Sequence, residues 1–208
     1  MRELIDSVHR LDGARGANAY LIEAADRSVV VDTGVASGGQ RLVAELRAAR
    51  IPAITDVVIT HYDPDHIGSA AAVQRETGAT VWLGAADARI LRGEVPPPTR
   101  TRRVMRRMSR PDRAEQPQLT ELSDDSETEI VPGLLVVPAP GHTPGHHLVR
   151  WRGVAFIGDA ALVSKGRLRH LPGPLISDRG QADATLAAIT ALRPRLVLPG
   201  HGRAGRLD

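Results

Sequence analysis

DVVITHYDPDHIGS, residues 56–69, is the stretch on which the fold turns. Val57, Val58 and Ile59 form an apolar run of the kind that makes a buried strand, and it stops at Thr60, just before His61, Asp63, Asp65 and His66. In an extended segment residues two apart share a face, so His61 and Asp63 converge on one point. Pro64 then turns the chain and lets Asp65 and His66 reach a second. Mixed imidazole and carboxylate donors suit a zinc-like ion with a bound water. A polar loop capping the helix that starts near Ile67, with Asp65 as its N-cap, would be the plainer explanation, but capping needs one of these residues and not four.

Composition narrows the setting. At 208 residues the chain is long enough to bury most of its apolar surface as a single domain, 1–208. Cysteine is absent, which excludes disulfides and thiolate metal sites and fits a reducing compartment. The N-terminal MRELIDSVHR lacks the apolar core of a secretion signal, and no apolar run approaches the roughly 18 residues of a membrane span. A cytoplasmic protein without a membrane partner is therefore expected. The 27 basic and 24 acidic residues leave a net charge of +3, so general nucleic-acid affinity is not expected; Lys165 is the sole lysine. The partner implied is a small molecule, and the sequence leaves the oligomeric state open.

Upstream of the opening stretch, Glu3–His9, Ala19–Glu23 and Ser28–Asp32 are short β-type runs separated by turn-formers, as in a meander or a pair of hairpins. Gly38–Arg50 carries Leu42, Val43 and Leu46 at helical spacing. Downstream come an Ala-rich helix near Ile67–Thr77, a strand Thr80–Leu83 and a helix near Ala85–Leu91. Residues 93–117 interrupt this rhythm with Pro96-Pro97-Pro98 and a run of arginines that includes Arg102, Arg103, Arg106 and Arg107. Val104, Met105 and Met108 share one helical side there, so the basic insert reads as a short amphipathic helix, either a solvated surface segment or a cover that brings cations to an anionic substrate. Leu134–Val137, His147–Trp151 and Val154–Ile157 read as strands, the last two joined at Arg152-Gly153 like a hairpin; a helix Gln181–Leu192 and a strand Leu196–Leu198 follow. The order strands, helices, strands, helix occurs once in each half, which suggests two sheets packed face to face with helices outside.

Three further spots share one grammar, an apolar strand followed at once by His or Asp in a glycine-containing turn. They are PAPGHTPGHH at 138–147, FIGDA at 156–160 and PGHG at 199–202, and they offer His142, Asp159 and His201. With residues 61–66 they supply four His and three Asp, enough for two metals with a shared carboxylate. His146 reads as a pocket residue and His147 as strand-surface or as a prop for a ligand, since neighbours in a strand face opposite ways. Asp32, after Val29–Val31, is a candidate buried acceptor that orients the metal loop.

These residues resemble the metallo-β-lactamase superfamily. The marks are VVVDTG at 29–34, THYDPDHIG at 60–68, PGHTPGH at 140–146, FIGDA at 156–160 and PGHG at 199–202, in the family order and at family-like spacing. The resemblance implies an α/β fold, a four-layer αββα sandwich of two mixed sheets with the metal site at one edge. It implies that His61 and His142 bind a first metal, that Asp65, His66 and His201 bind a second, and that Asp159 bridges. Asp63 departs from the pattern His-x-His-x-Asp-His, where a second His stands. A carboxylate is harder, anionic and shorter in reach, so the first site is expected to be weaker, shifted or filled by another metal. The chain ends at Asp208, soon after His201, and the resemblance then suggests a near-minimal core without the C-terminal helical domain of the glyoxalase II branch.

The function implied is a metal-dependent hydrolase of a small ester, thioester or lactone that acts through a metal-bound hydroxide oriented by Asp65. Zinc is the metal implied, as two ions, with one ion, iron or manganese as alternatives. Tyr62, His146, Arg103 and Arg106 are candidates for substrate contact. The competing readings are a phosphodiesterase, an iron-dependent sulfur oxygenase and a metal-binding interaction module without catalysis.

Overall fold

The computed structural model describes residues 1–108 and 116–208. Two compact units emerge from the chain path, and the chain crosses between them at Thr60–Tyr62, inside the histidine and aspartate stretch.

The first unit, Met1–Ile59, Asp63–Leu83 and Pro111–Thr120, carries a seven-stranded mixed sheet. Its strands are β1 (Arg2–Ile5), β2 (Val8–Leu11), β3 (Ala19–Ala24), β4 (Arg27–Val31), β5 (Ala53–Val58), β6 (Thr80–Gly84) and β7 (Leu119–Leu122), side by side in that order. β1 to β4 form an antiparallel meander, after which β4, β5 and β6 run parallel. The crossovers are α1 (Gly39–Ala48), between β4 and β5, and α2 (Pro64–Ile67) with α3 (Ala70–Thr77), between β5 and β6. Parallel strands are covered on both faces and become apolar throughout, which is why Ser28–Val31 in β4 and Asp56–Val58 in β5 are buried without alternation.

The second unit, Thr60–Tyr62, Gly84–Arg110 and Glu121–Asp208, carries a five-stranded mixed sheet. Its strands are β8 (Thr128–Val131), β9 (Leu134–Pro138), β10 (His147–Trp151), β11 (Val154–Gly158) and β14 (Leu196–Pro199), in the order β14-β11-β10-β9-β8. A small hairpin of β12 (Leu162–Ser164) and β13 (Arg167–Arg169) stands apart, and the helices are α4 (Ala85–Arg92), α5 (Arg100–Met108) and α6 (Arg179–Ala191). Arg152 and Gly153 both take positive φ, 45° and 80°, the tight turn whose twist matches a hairpin between β10 and β11. β11 and β14 are parallel, so the loops that follow them leave from the same end of the sheet. The core under these strands includes Leu148, Ala155, Ile157, Ile189 and Val197.

The expected single strand Glu3–His9 is a hairpin instead. Ser7 adopts φ 64° and reverses the chain, a conformation that only Gly or Asn would have advertised. The expected helix Ile67–Thr77 is two helices, with Gly68 and Ser69 between them. β7, β8, β12 and β13 were not expected from the sequence; all are short, three or four residues, and only partly buried. The insert does contain a helix, α5. Val104, expected on an apolar contact face, is 56% exposed, and the side chains of Met105, Arg106, Arg107 and Met108 lie outside the described residues.

Candidate metal centre

In the first unit, parallel β4 and β5 end side by side, tied by the Asp32 N–H donating to the Val58 carbonyl at 2.9 Å. Ligand-binding residues of α/β sheets gather at such carboxyl ends. Asp32 sits there with φ 58°, a strained conformation that aspartate tolerates better than most residues. Its carboxylate accepts from Nδ1 of His66 at 2.8 Å, and both side chains are buried. The imidazole is thereby fixed with Nε2 turned to the opposite side. Thr33 holds the same residue by its backbone: its N–H and its hydroxyl both donate to the His66 carbonyl at 2.8 Å. Asp63, not Asp65, occupies the N-cap position of α2, with Pro64 at N1, and its side chain makes no capping bond. Capping therefore does not account for the acids of this stretch. Asp65 follows in the first turn, half-buried, beside buried His66.

In the second unit, His61, His142, His146 and Asp159 are all buried. His61 shares a hydrogen bond with the Thr60 hydroxyl through Nδ1 at 3.0 Å, and its ring lies 4.7 Å from that of His142 and 5.2 Å from that of His146. Ligating atoms of His61 lie within 4.8 Å of those of His142 and of Asp159. One carboxylate oxygen, Asp159 Oδ2, lies 3.7 Å from His142 Nε2 and 3.5 Å from His201 Nε2. Two ligand atoms about 2.0–2.2 Å from one tetrahedral ion stand roughly 3.3–3.6 Å apart, so the Asp159 to His201 spacing suits a shared cation. Parallel β11 and β14 produce it: Asp159 follows one strand, His201 follows the other, and the Gly200 N–H donates to the Gly158 carbonyl at 2.7 Å.

His142 is different. Its Nε2 accepts a hydrogen bond from Nη2 of Arg102 at 2.9 Å. His146 braces the site: its Nε2 accepts from the Asp159 N–H at 3.2 Å. Burial, and then the neighbouring His61 and His142, hold its pKa well below the ordinary imidazole value, in keeping with a neutral acceptor. His147, expected at the strand surface or as a prop, is buried, with Nδ1 on the Gly145 carbonyl and Nε2 on that of Ser123. Tyr62 is buried, with the Arg102 guanidinium carbon 5.6 Å from its ring centre. Arg103 is exposed and donates through Nε to the Pro97 carbonyl at 3.0 Å.

Two residues organise this unit; one went unnoticed in the sequence, and the other was read only as one of the arginines of a cover. Asp87, in the first turn of α4, is fully buried and accepts from the Tyr62 N–H at 3.1 Å, the Thr143 hydroxyl at 2.7 Å and the Gly145 N–H at 2.8 Å. It ties the loop at 60–62 to the loop at 142–147, and burial raises its pKa to about 6 against those three bonds. The sequence signal was an acid on a helix otherwise lined by Ala85, Ala86, Ala88 and Ile90. Arg102 is the other, and nothing set it apart from the arginines around it.

A family model, the metallo-beta-lactamase superfamily, matches residues 12–201. The chain belongs to that superfamily. Among curated relatives, a hydroxyacylglutathione hydrolase of Anaeromyxobacter dehalogenans is 29% identical over 185 residues, 88% of this chain and 60% of the relative. The chain spans between a third and three fifths of the length of the curated relatives it matches first. Among solved structures, a B3 metallo-β-lactamase described as the first with an active-site glutamic acid has a TM-score of 0.74 at 20% identity, covering 99% of this chain and 82% of that one. A protein crystallised in a di-iron-bound form has a TM-score of 0.69 at 25% identity, covering 91% and 89%. These likenesses show the metallo-β-lactamase fold, an α/β fold with two mixed sheets, as the sequence motifs implied.

Proposed function

We propose that the protein is a metal-dependent hydrolase of a small thioester, ester or lactone, with zinc as its metal. The observation that carries the reading is the buried pair of Asp32 and His66. A carboxylate on the far nitrogen of an imidazole is the arrangement that orients metal-ligating histidines and raises their basicity. The hydrolase names of the curated relatives support the reaction class, and the thioester named in one group of them supports the choice of an acyl substrate.

The family motifs imply ligand roles for Asp65 and His66; within the second unit Asp159 and His201 would hold a cation, His61 and His142 would border it, and His146 would keep Asp159 in place. A bound cation supplies Lewis acidity toward the substrate carbonyl and lowers the pKa of water. Asp65, half-buried where Asp63 and Asp159 are buried, would accept a hydrogen bond from the attacking water and fix its direction. Tyr62 would wall the substrate pocket, and Arg103 on α5 would meet an anionic group of the substrate; the candidate Arg106 lies outside the described side chains. The test is zinc-loaded protein against a panel holding a thioester, an aryl ester, a γ-lactone and a phosphodiester. Turnover of at least one acyl substrate, abolished by a chelator and restored by zinc, is expected. Hydrolysis of the phosphodiester alone, or acyl hydrolysis indifferent to chelation, would sink the reading.

A further inference from the structure

We infer that the guanidinium of Arg102 stands in for the first metal ion, so that the protein binds one metal ion and not two. The inference rests on the metal reading of Asp159 and His201.

Arg102 is 2% exposed, in a helix whose neighbouring Arg103 and Val104 are exposed. Burying a guanidinium costs several kcal/mol unless acceptors surround it. Here Nη2, with two N–H groups, reaches three acceptors, so one hydrogen is shared: His142 Nε2 at 2.9 Å, the His142 carbonyl at 3.0 Å and the Leu175 carbonyl at 2.8 Å. A guanidinium has donors and no acceptor, so His142 Nε2 must present its lone pair to Arg102. That lone pair is the one a metal would need, because Nε2 is also the nitrogen 3.7 Å from the Asp159 carboxylate. An imidazole nitrogen has a single lone pair, and a metal about 2.0–2.1 Å away along it would collide with a guanidinium nitrogen held at 2.9 Å. At His142 Nε2 the geometry therefore fits a cation supplied by the chain, and a metal on that nitrogen would require Arg102 to move.

The sequence carries a second, independent sign. Position 63, where the family pattern places an imidazole for the same ion, is an aspartate. A carboxylate at that position carries a negative charge that a neutral imidazole would not supply. One substitution of the cation thus explains both the buried arginine and the altered motif. The inherited role of the site also changes. Arg102 keeps one positive charge where an ion would bring two, cannot acidify water, and offers planar N–H donors to an oxyanion or carboxylate of the substrate.

Zinc titration of metal-free protein, with bound metal counted after free zinc is removed, tests this without reference to turnover. One equivalent is expected, and anomalous scattering at the zinc edge should place it against Asp159 and His201 and not against His142. Asp63→His alone should still bind one equivalent, and Asp63→His with Arg102→Met should bind two, with the melting temperature reporting that the double variant folds. Should the double variant not fold, the wild-type count and the anomalous position decide by themselves. Two tight equivalents in the wild type, or one located on His142, would overturn the inference while leaving the metal centre standing. No binding at all would overturn both.

Discussion

Asp87 places a carboxylate where the interior resists its charge. Its pKa rises from the ordinary 3.8 to about 6 in the folded chain, chiefly through desolvation. The folded state then holds more protons than the unfolded one between those values, so this residue's contribution to stability is fully present below about pH 4 and is lost as the pH rises through about 6. Asp87→Asn removes the titration but sets an amide against three donors. The difference in urea midpoint between wild type and variant should therefore change with pH between about 4 and 6 and be flat above 7, with the variant paying roughly 1–3 kcal/mol for its mismatched donors. A difference that stays constant across that range would show that Asp87 does not titrate there. Asp32→Asn keeps a residue that tolerates the φ of 58° and keeps an acceptor for His66, so it tests charge alone. Zinc affinity in chelator competition should fall about 10–100-fold, with little loss of fold. The ligand candidates were legible because each follows an apolar strand within a turn, a pattern that geometry forces. The roles of Asp87 and Arg102 were not, because what distinguishes each is burial on a helix, and for Arg102 the arginines beside it carry the same chemistry.

At the scale of elements, α4 and the loop at 142–147 approach so closely that Gly145 has no room for a side chain: an added Cβ would lie 2.5 Å from the Asp87 N–H nitrogen and 3.0 Å from its Cβ. Gly145→Ala must push α4 away and break the Asp87 bonds. A loss of about 1–3 kcal/mol, read as a lower melting temperature, should be accompanied by weaker zinc binding, because the same loop carries His146, whose Nε2 accepts from the Asp159 N–H. The arginines of α5 should divide. Arg103→Gln is expected to leave metal content and melting temperature unchanged and to raise KM for an anionic acyl substrate more than for a neutral one, with the gap closing in high salt. Arg102→Gln should lower the melting temperature, since it removes donors from two buried carbonyls. Equal behaviour of the two variants would mean that α5 is a uniform basic surface. Elements with a long apolar run, β4, β5 and β11, could be read from the sequence directly. β1 and β2 were merged because a serine makes their turn, and β12 and β13 were missed because three half-exposed residues leave no periodic signal.

For the whole molecule, a metal that binds only the folded chain adds RT ln(1 + [L]/Kd), about 2.7 kcal/mol at a hundredfold excess over Kd. In a chain of this size roughly 2–4 °C of melting temperature accompany each kcal/mol, so chelation should lower the midpoint by about 5–10 °C. No shift would mean that the residues hold no metal in the native state. The fold was legible in five motifs in order, and the order of strands and helices repeated in each half anticipates the two sheets, while nothing in that pattern marks residues 60–62 as belonging with the second unit. The parallel pairing of β11 with β14 also gives the molecule a timetable. Asp159 leaves the ribosome about forty residues before His201, and at ~5–20 residues per second the strand that delivers the last histidine arrives roughly 2–8 seconds after the strand it must pair with. For that interval the nascent chain carries Asp159 without His201, so under the proposed ligand set metal capture would follow the synthesis of β14.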